Sequence, residues 1–216
     1  MFEVITRRNI PWVELESLHQ ELVQKVRIEK APYLLLSEPQ ATLTQGRSAA
    51  LSDLLVSEDF LNSRGITIQS VSRGGKWTYH GPGQIVGYPI LHLPTWGYDS
   101  KSVHPYLRTL RDLVGGVLTG FGLPVEYQDK PYGIYCQNRK LVSFGIHLSQ
   151  GVTSHGFALY LKDQRPAFHH INPCGVPGHE PTSLEQQGAD KSWEQVALAL
   201  CDALKKGFNS SKKSLI

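Results

Sequence analysis

A glycine-rich stretch, residues 73–84 (RGGKWTYHGPGQ), is the feature that most constrains how this chain folds. Its four glycines and one proline stand between two β-rich runs, one ending near Val71 and the other beginning at Ile85. Glycine permits positive φ angles and close backbone approach, so this density predicts a loop folded tightly against another part of the protein. Aromatic residues in the stretch can wall a cavity, and Arg73, Lys76 and His80 can supply polar groups inside it.

A surface hairpin loop without a function is the alternative interpretation of this stretch. The adjacent glycines alone would fit such a loop. Loops without a site, however, are usually rich in Ser, Asn and Asp rather than in Trp, Tyr and His. We therefore predict that residues 73–84 belong to a functional site.

Composition indicates a folded globular chain. Of its 216 residues, 40% are hydrophobic and 19% are charged, which is enough to bury a substantial core. No repeat or linker interrupts the sequence. We predict a single α+β domain over residues 1–208, with a mixed β-sheet flanked by helices, and a disordered tail over residues 209–216.

Charge and cysteine usage restrict the compartment and the partners. A formal net charge of +3 is too small to indicate nucleic acid binding, although it would not repel an acidic protein. The N-terminus does not have the pattern of a signal peptide, and the longest apolar runs are far shorter than a membrane span. Three cysteines without a spacing pattern favour reduced thiols. We therefore expect a cytoplasmic protein with no membrane partner.

Hydrophobic periodicity and end signals predict the order of helices and strands. Ser102 is a candidate N-cap of the second helix, and Ser192 with Gln195 forms a capping box for the last. Pro89 indicates an edge strand or a bulge, and residues 150–151 form the turn of a hairpin. Helices are predicted at residues 13–29, 102–119 and 192–206, and strands at residues 1–10, 33–36, 66–71, 85–93, 125–128, 133–137, 140–148 and 156–161.

Cys174 is the candidate nucleophile. It stands between Pro173 and Gly175 in a segment that can continue neither a helix nor a central strand, so its sulfur is presented by a bent backbone. Fixed orientation removes much of the entropic part of a barrier and therefore suits a nucleophile. Cys136 and Cys201 fit core positions better, and an inert loop thiol stays an open alternative for Cys174.

A nucleophilic thiol needs a nearby cation or base that lowers its pKa. Lys140 begins a predicted strand and is a candidate, although a lysine there is more often a solvated charge. His80 and His155 are further candidates as bases or hydrogen-bond donors. His155 precedes small residues at which a ligand could approach the backbone.

Two other kinds of site fit the sequence less well. A zinc ion could take His169, His170, Cys174 and His179, but their spacing matches none of the usual zinc patterns. A phosphate-binding loop at residues 81–84 would need a helix after it, whereas a strand is predicted there. We therefore expect no metal and no nucleotide cofactor.

Five motifs together resemble the octanoyltransferases of lipoate synthesis. They are residues 73–84, 139–145 (RKLVSFG), 155–159 (HGFAL), 171–175 (INPCG) and 182–184 (TSL), in the order and approximate spacing of that family. The resemblance spans residues 33–184. Departures from the family pattern at Asn138 and at residues 160–164 lie outside the catalytic positions.

The resemblance implies the fold of the biotin and lipoate protein ligases and a reaction through an acyl-enzyme. Cys174 would take an octanoyl group from octanoyl-acyl carrier protein and pass it to a lysine of a lipoyl domain. Lys140 would lower the pKa of the cysteine and relay protons. The implied substrate-binding residues are Arg73, Gly74, Gly75, Lys76, Trp77, Thr78, Tyr79, His80, Ser143, Phe144, Gly145, His155, Gly156, Phe157 and Ala158.

The implied partners are carrier and acceptor proteins. The donor would be octanoyl-acyl carrier protein, and the acceptors would be lipoyl domains of 2-oxoacid dehydrogenase subunits and the glycine cleavage H protein, with the enzyme a monomer. Two alternatives stay open, an ATP-dependent lipoate or biotin ligase and an inactive acyl- or carrier-binding protein. The cysteine favours transfer over ligation, because the ligases need a nucleotide site and no nucleophilic cysteine.

Overall fold

The computed structural model describes the backbone of residues 2–101, 103–172 and 180–213. Cys174 therefore lies outside the described residues. Within the described ranges the helices are α1 (Trp12–Glu29), α2 (Glu58–Ser63), α3 (His104–Gly120), α4 (Arg165–Phe168) and α5 (Trp193–Lys213). The strands there are β1 (Glu3–Ile10), β2 (Tyr33–Pro39), β3 (Thr42–Gln45), β4 (Thr67–Ser70), β5 (Trp77–His80), β6 (Gln84–Ile90), β7 (Val125–Asp129), β8 (Tyr132–Cys136), β9 (Arg139–Ser149) and β10 (Val152–Tyr160).

The described strands form one large and one small sheet. The large sheet has the order β1-β2-β6-β10-β9-β8-β7, and the small sheet has the order β4-β3-β5. Strand β1 is parallel to β2, and the other neighbours in the large sheet are antiparallel. The predicted mixed sheet flanked by helices, in a single domain, is confirmed.

Each face of the large sheet carries its own hydrophobic core. On β2, Leu34 and Leu36 point into the core that contains α3 and α5, whereas Tyr33 and Leu35 point into the core that contains α1 and the small sheet. Successive side chains of a strand face opposite sides of the sheet. Both faces of this strand are therefore covered, which explains why residues 33–36 are apolar without interruption.

Several local signals produce the predicted structure. Helix α1 ends where Lys30 adopts a left-handed conformation with φ 58°. The hairpin between β9 and β10 turns at Gln150 and Gly151, whose φ angles are 53° and 73°. In the capping box of α5, the Ser192 amide donates to Gln195 Oε1 at 2.9 Å and the Gln195 amide donates to Ser192 Oγ at 3.2 Å.

Several details of the predicted secondary structure were wrong. Strand β5 lies inside the predicted loop of residues 73–84, and β3, α2 and α4 were not predicted. Helix α3 begins at His104 with Val103 at the N-cap, and Ser102 lies outside the described residues. Helix α5 continues to Lys213, well past the predicted end at residue 206, so residues 209–213 are helical and do not belong to a disordered tail as predicted. Its Gly207 is a contact point rather than a terminator, since a methyl group there would overlap the Leu113 side chain.

A further error concerns Pro89, which lies in a central strand rather than at an edge. Strand β6 pairs with β2 on one side and with β10 on the other. The ladder to β10 runs only from Gln84 to Gly87, because β10 is irregular at His155. A proline two residues beyond the end of this ladder removes no hydrogen bond from it, so a central strand accommodates Pro89 here.

Candidate active site

A cavity of about 230 Å³ lies where residues of both sheets meet. Its walls come from the glycine-rich loop and from strands β5, β6, β9 and β10. Apart from Tyr79, all of the predicted substrate-binding residues line it, and so does Lys140. Tyr79 packs in the core instead, where its ring centroid lies 6.5 Å from that of Phe168.

The cavity also contains residues that the sequence motifs did not identify. Val86 and Tyr88 face it from β6, and Tyr160 faces it from β10 two residues after Ala158. The period-two alternation of strands would place these side chains on one face. The remaining lining residues come from separate parts of the chain: Pro131, Tyr132, Phe168 and Pro181.

Arg73 fixes the glycine-rich loop onto the small sheet. Its guanidinium donates to the Thr44 carbonyl oxygen at 2.8 Å, to Thr44 Oγ1 at 2.7 Å and to the Lys76 carbonyl oxygen at 2.9 Å. Burial lowers the pKa of Arg73 to about 10, so the group stays charged at neutral pH. A methyl group at Gly46 would overlap the Gly75 carbonyl oxygen, which explains why the facing turn contains glycine.

Lys76 connects the loop to the segment that precedes residue 173. Its Nζ lies 3.0 Å from Asp53 Oδ2, and this hydrogen bond lowers the pKa of the Asp53 carboxyl. The carbonyl oxygen of Asp53 accepts a hydrogen bond of 2.7 Å from the Asn172 amide. The last described residue before the gap is therefore bound to a residue that pairs with the cavity wall.

Lys140 connects the far side of the gap to the cavity. Its carbonyl oxygen accepts a hydrogen bond of 2.8 Å from the Thr182 amide, and Lys140 forms a parallel β-bridge with Pro181. Its Nζ lies 3.4 Å from the Tyr132 carbonyl oxygen and 5.3 Å from the centroid of the Tyr135 ring. Residues on both sides of the segment that contains Cys174 are thus held at the cavity.

Two of the predicted site histidines are uncharged near neutral pH. His80 stacks on Trp12 with a centroid distance of 5.0 Å, and burial, followed by the charge of Arg73, lowers its pKa to about 3. Burial is also the main cause that lowers the pKa of His155 to about 3. Neutral imidazoles can accept or donate single hydrogen bonds here but cannot supply the cation that a thiolate needs.

A pair of hydroxyl groups supplies further polarity inside the cavity. Ser143 Oγ and Tyr160 Oη share a hydrogen bond of 2.7 Å. Ser143 lies opposite Ala158 in the antiparallel pair of β9 and β10, which brings it diagonally beside Tyr160. This pair gives the largely apolar cavity a fixed polar point.

The possible zinc ligands fall partly outside the described residues, because Cys174 and His179 lie in the gap. A different cluster was not foreseen. It joins Glu16 and His19 of α1 to His155 of β10, with one possible ligand atom from each within 4.8 Å of the others.

Comparison with known proteins decides the family. The model of the lipoyl protein ligase A/B catalytic domain matches residues 14–205. The octanoyltransferase of Solibacter usitatus is 38% identical over 182 residues, which cover 84% of this chain and 81% of the relative. The chain belongs to the lipoyl protein ligase A/B catalytic domain family.

Solved structures of ligases share the fold of this family member. A bipartite lipoate protein ligase from Thermoplasma acidophilum, from a structural analysis of that ligase and its E2 lipoyl domain, has a TM-score of 0.77 at 13% identity and covers 100% of this chain and 91% of its own. A biotin protein ligase from Aquifex aeolicus in complex with biotin and ATP has a TM-score of 0.57 at 13% identity, covering 98% of this chain and 72% of its own. The predicted resemblance and fold are confirmed.

The chain has no helix, in the ranges that the structure describes, that is long and apolar enough to cross a membrane.

Proposed function

We propose that this protein transfers an octanoyl group from octanoyl-acyl carrier protein to a specific lysine of a lipoyl domain. The observation that carries the proposal is the cavity, which combines an apolar wall with Lys140 and with anchors on both sides of the segment that contains Cys174. The 38% identity to an octanoyltransferase supports the same activity. Three unpatterned cysteines suit action in the reducing cytoplasm.

The cavity is suited to a medium-length acyl chain. Trp77, Phe144 and Phe157 supply apolar wall, and the enclosed volume is about 230 Å³. Burial of about six methylene groups would contribute roughly 5 kcal/mol. Glycines at positions 145 and 156 face each other across β9 and β10 and line this cavity, and the lack of a side chain lets Arg73 pack against Gly145 and the Gly87 backbone pack against Gly156.

The first step forms a thioester on the enzyme. The Cys174 thiolate attacks the carbonyl carbon of the donor thioester, a new S–C bond forms, and the S–C bond to the carrier breaks. The carrier leaves as a thiolate and takes up a proton. An ammonium group at Lys140 would both stabilise the attacking thiolate and supply that proton.

The second step forms the amide. The acceptor lysine amine attacks the acyl-Cys174 carbonyl, an N–C bond forms, and the cysteine sulfur leaves. The proton lost by the amine returns to the enzyme. Exchange between thioesters is nearly isoenergetic and the amide is more stable, so this route needs neither ATP nor a metal. A ligase of the same fold was analysed structurally with its E2 lipoyl domain as part of one lipoylation system, which supports a lipoyl domain as the acceptor.

A second function, ATP-dependent ligation, is favoured by the likeness to an ATP-bound ligase. Lipoate- or biotin-dependent exchange of pyrophosphate into ATP measures the activation step of such a ligase. Octanoyl transfer predicts no such exchange with the purified protein. Robust exchange would overturn our choice.

The role of Lys140 is tested with a matched lysine variant. We expect Lys140→Ala to reduce transfer from octanoyl-acyl carrier protein to a lipoyl domain at least about 100-fold, the lower range for loss of general acid–base catalysis. Lys162→Ala is the control, because Lys162 lies on the surface and pairs with Glu185 at 2.8 Å. Equal activity of the two variants would refute the role of Lys140.

A further inference from the structure

His19 is a buried histidine in the middle of α1. It has no exposed surface, and its ring centroid lies 4.7 Å from those of both Tyr88 and His155. Tryptophan, leucine and valine fill the other buried positions of this helix, so packing alone does not require an imidazole here. A buried polar group is costly unless it is hydrogen-bonded.

The two ring nitrogens of His19 have different neighbours. Nε2 accepts a hydrogen bond of 3.1 Å from the backbone amide of His155. A ring nitrogen that accepts carries no proton, so in the neutral ring the proton is on Nδ1. Nδ1 lies 3.5 Å from Glu16 Oε2 on the preceding turn. The two buried atoms form no hydrogen bond, but the negative charge of Glu16 beside Nδ1 favours the tautomer that can accept from His155.

His155 occupies an unusual backbone conformation inside a strand. Its φ is 59°, in the left-handed region that residues other than glycine seldom adopt. Such a conformation persists when the surroundings fix it. The hydrogen bond from its amide to His19 is one such constraint, and it is the constraint that connects β10 to α1.

The side chain of His155 extends this connection to the glycine-rich loop. Its Nε2 lies 3.1 Å from Ser72 Oγ, and Ser72 precedes Arg73 at the start of the loop. The next residues of β10, Gly156 to Ala158, line the cavity together with the loop. One residue thus joins two walls of the cavity, and α1 holds that residue in place.

We propose that His19 and Glu16 are positioning residues of the acyl site. Through the amide of His155 they fix the left-handed turn in β10, and through its side chain they fix the glycine-rich loop over the cavity. Neither residue lines the cavity. The effect on catalysis rests on the proposed function, whereas the effect on the loop does not.

A metal ion is the competing explanation of this cluster. Glu16, His19 and His155 are ligand types that zinc accepts. Nε2 of His19, however, already accepts from the His155 amide, and Nε2 of His155 already pairs with Ser72. These hydrogen bonds use the Nε2 atoms of both rings and leave the Nδ1 atoms for a metal ion, and Nδ1 of His19 is buried beside Glu16 Oε2 with no hydrogen-bond partner. The zinc content of the purified protein therefore separates the two explanations.

Two amide substitutions at one position separate the roles of the two ring nitrogens. The oxygen of Gln reaches about as far as Nε2, so His19→Gln retains an acceptor for the His155 amide. Asn reaches only about as far as Nδ1, so His19→Asn leaves that amide unpaired. Thermal unfolding of both variants establishes that they fold.

Hydrogen exchange and acyl transfer are then measured. We expect His19→Asn to speed exchange at His155 and in residues 72–76, and to lower kcat/KM about 5- to 100-fold, the range for an unsatisfied buried group. We expect His19→Gln to remain within about threefold of the wild type, below the smallest of these effects. Glu16→Gln should fall between them, and Glu21→Gln, on the exposed face of α1, should change nothing.

Different outcomes separate the two hypotheses. Equal exchange in the Asn and Gln variants would overturn the positioning role. Stoichiometric zinc in the purified protein, lost in both His19 variants, would also overturn it and assign a metal site. Absence of transfer in the wild type with the expected exchange pattern would overturn the proposed function alone and leave the positioning of the loop supported.

Discussion

The two buried histidines of the cavity predict a steep loss of stability in mild acid. His80 and His155 are 6% and 2% exposed, and burial lowers the pKa of each from 6.5 to about 3. In the unfolded chain both rings take up protons as the pH falls through about 6.5. In the folded protein they remain neutral until the pH is near 3.

The sign of the effect follows from proton binding. Between these pKa values the unfolded state binds more protons, so the free energy of unfolding rises with pH and falls on acidification. From pH 7 to pH 5, one such histidine costs about 2 kcal/mol, and the two together cost about 4 kcal/mol. A protein of ordinary stability has only about 5–15 kcal/mol in total.

The assay is urea unfolding at pH 7 and pH 5, compared between wild type and variants. His80→Gln and His155→Gln can each change stability at both pH values, so the informative quantity is the difference between the two pH values. We expect this difference to shrink by about 2 kcal/mol in each variant. His104→Gln is the control, since His104 is exposed at the start of α3.

The reasoning would be refuted if the free energy of unfolding fell by the same amount between pH 7 and pH 5 in the wild type and in the His80→Gln variant. That result would mean that His80 takes up its proton in the folded state, and hence that its surroundings in the folded protein are solvated or anionic.

Two further predictions concern strand packing and the hydroxyl pair of the cavity. Gly156→Ala should lower the free energy of unfolding by about 1–3 kcal/mol or more, because the methyl group would overlap the Gly87 carbonyl oxygen. Thermal unfolding measures this effect. The control is Gly116→Ala on α3, where the added methyl group meets no other atom and the substitution should be neutral or stabilising. Tyr160→Phe should cost about 0.5–1.5 kcal/mol through loss of the bond to Ser143. A double-mutant cycle with Ser143→Ala should show coupling, and strict additivity of the two variants would contradict that bond.

The parts of the fold that depend on local signals could be predicted from the sequence. A capping box such as Ser192 with Gln195 acts within one turn, and the hairpin at residues 150–151 needs only two adjacent residues that tolerate positive φ angles. The errors arose where a distant contact overrides the local preference. Gly207 continues a helix because Leu113 packs against it, and Pro89 fits a central strand because the neighbouring strand is irregular there.

The candidate site shows the same division. Residues of three of the five motifs, 73–84, 139–145 and 155–159, line one cavity, and Tyr160 could have been inferred from its alternation with Ala158 on β10. His19 could not, because its spacing in α1 is that of a core residue, and its partner is 136 positions away. Pro131 and Pro181 reach the cavity only through the tertiary fold.

Acyl transfer through a cysteine is tested most directly by the intact mass of the protein after mixing with octanoyl-acyl carrier protein in the absence of acceptor. We expect one octanoyl adduct per chain, located on Cys174 by peptide mapping and discharged when a lipoyl domain is added. Cys174→Ala should abolish the adduct, whereas Cys201→Ala, which removes a partly exposed thiol on α5, should retain it. Transfer at the wild-type rate by the Cys174→Ala variant would contradict the account.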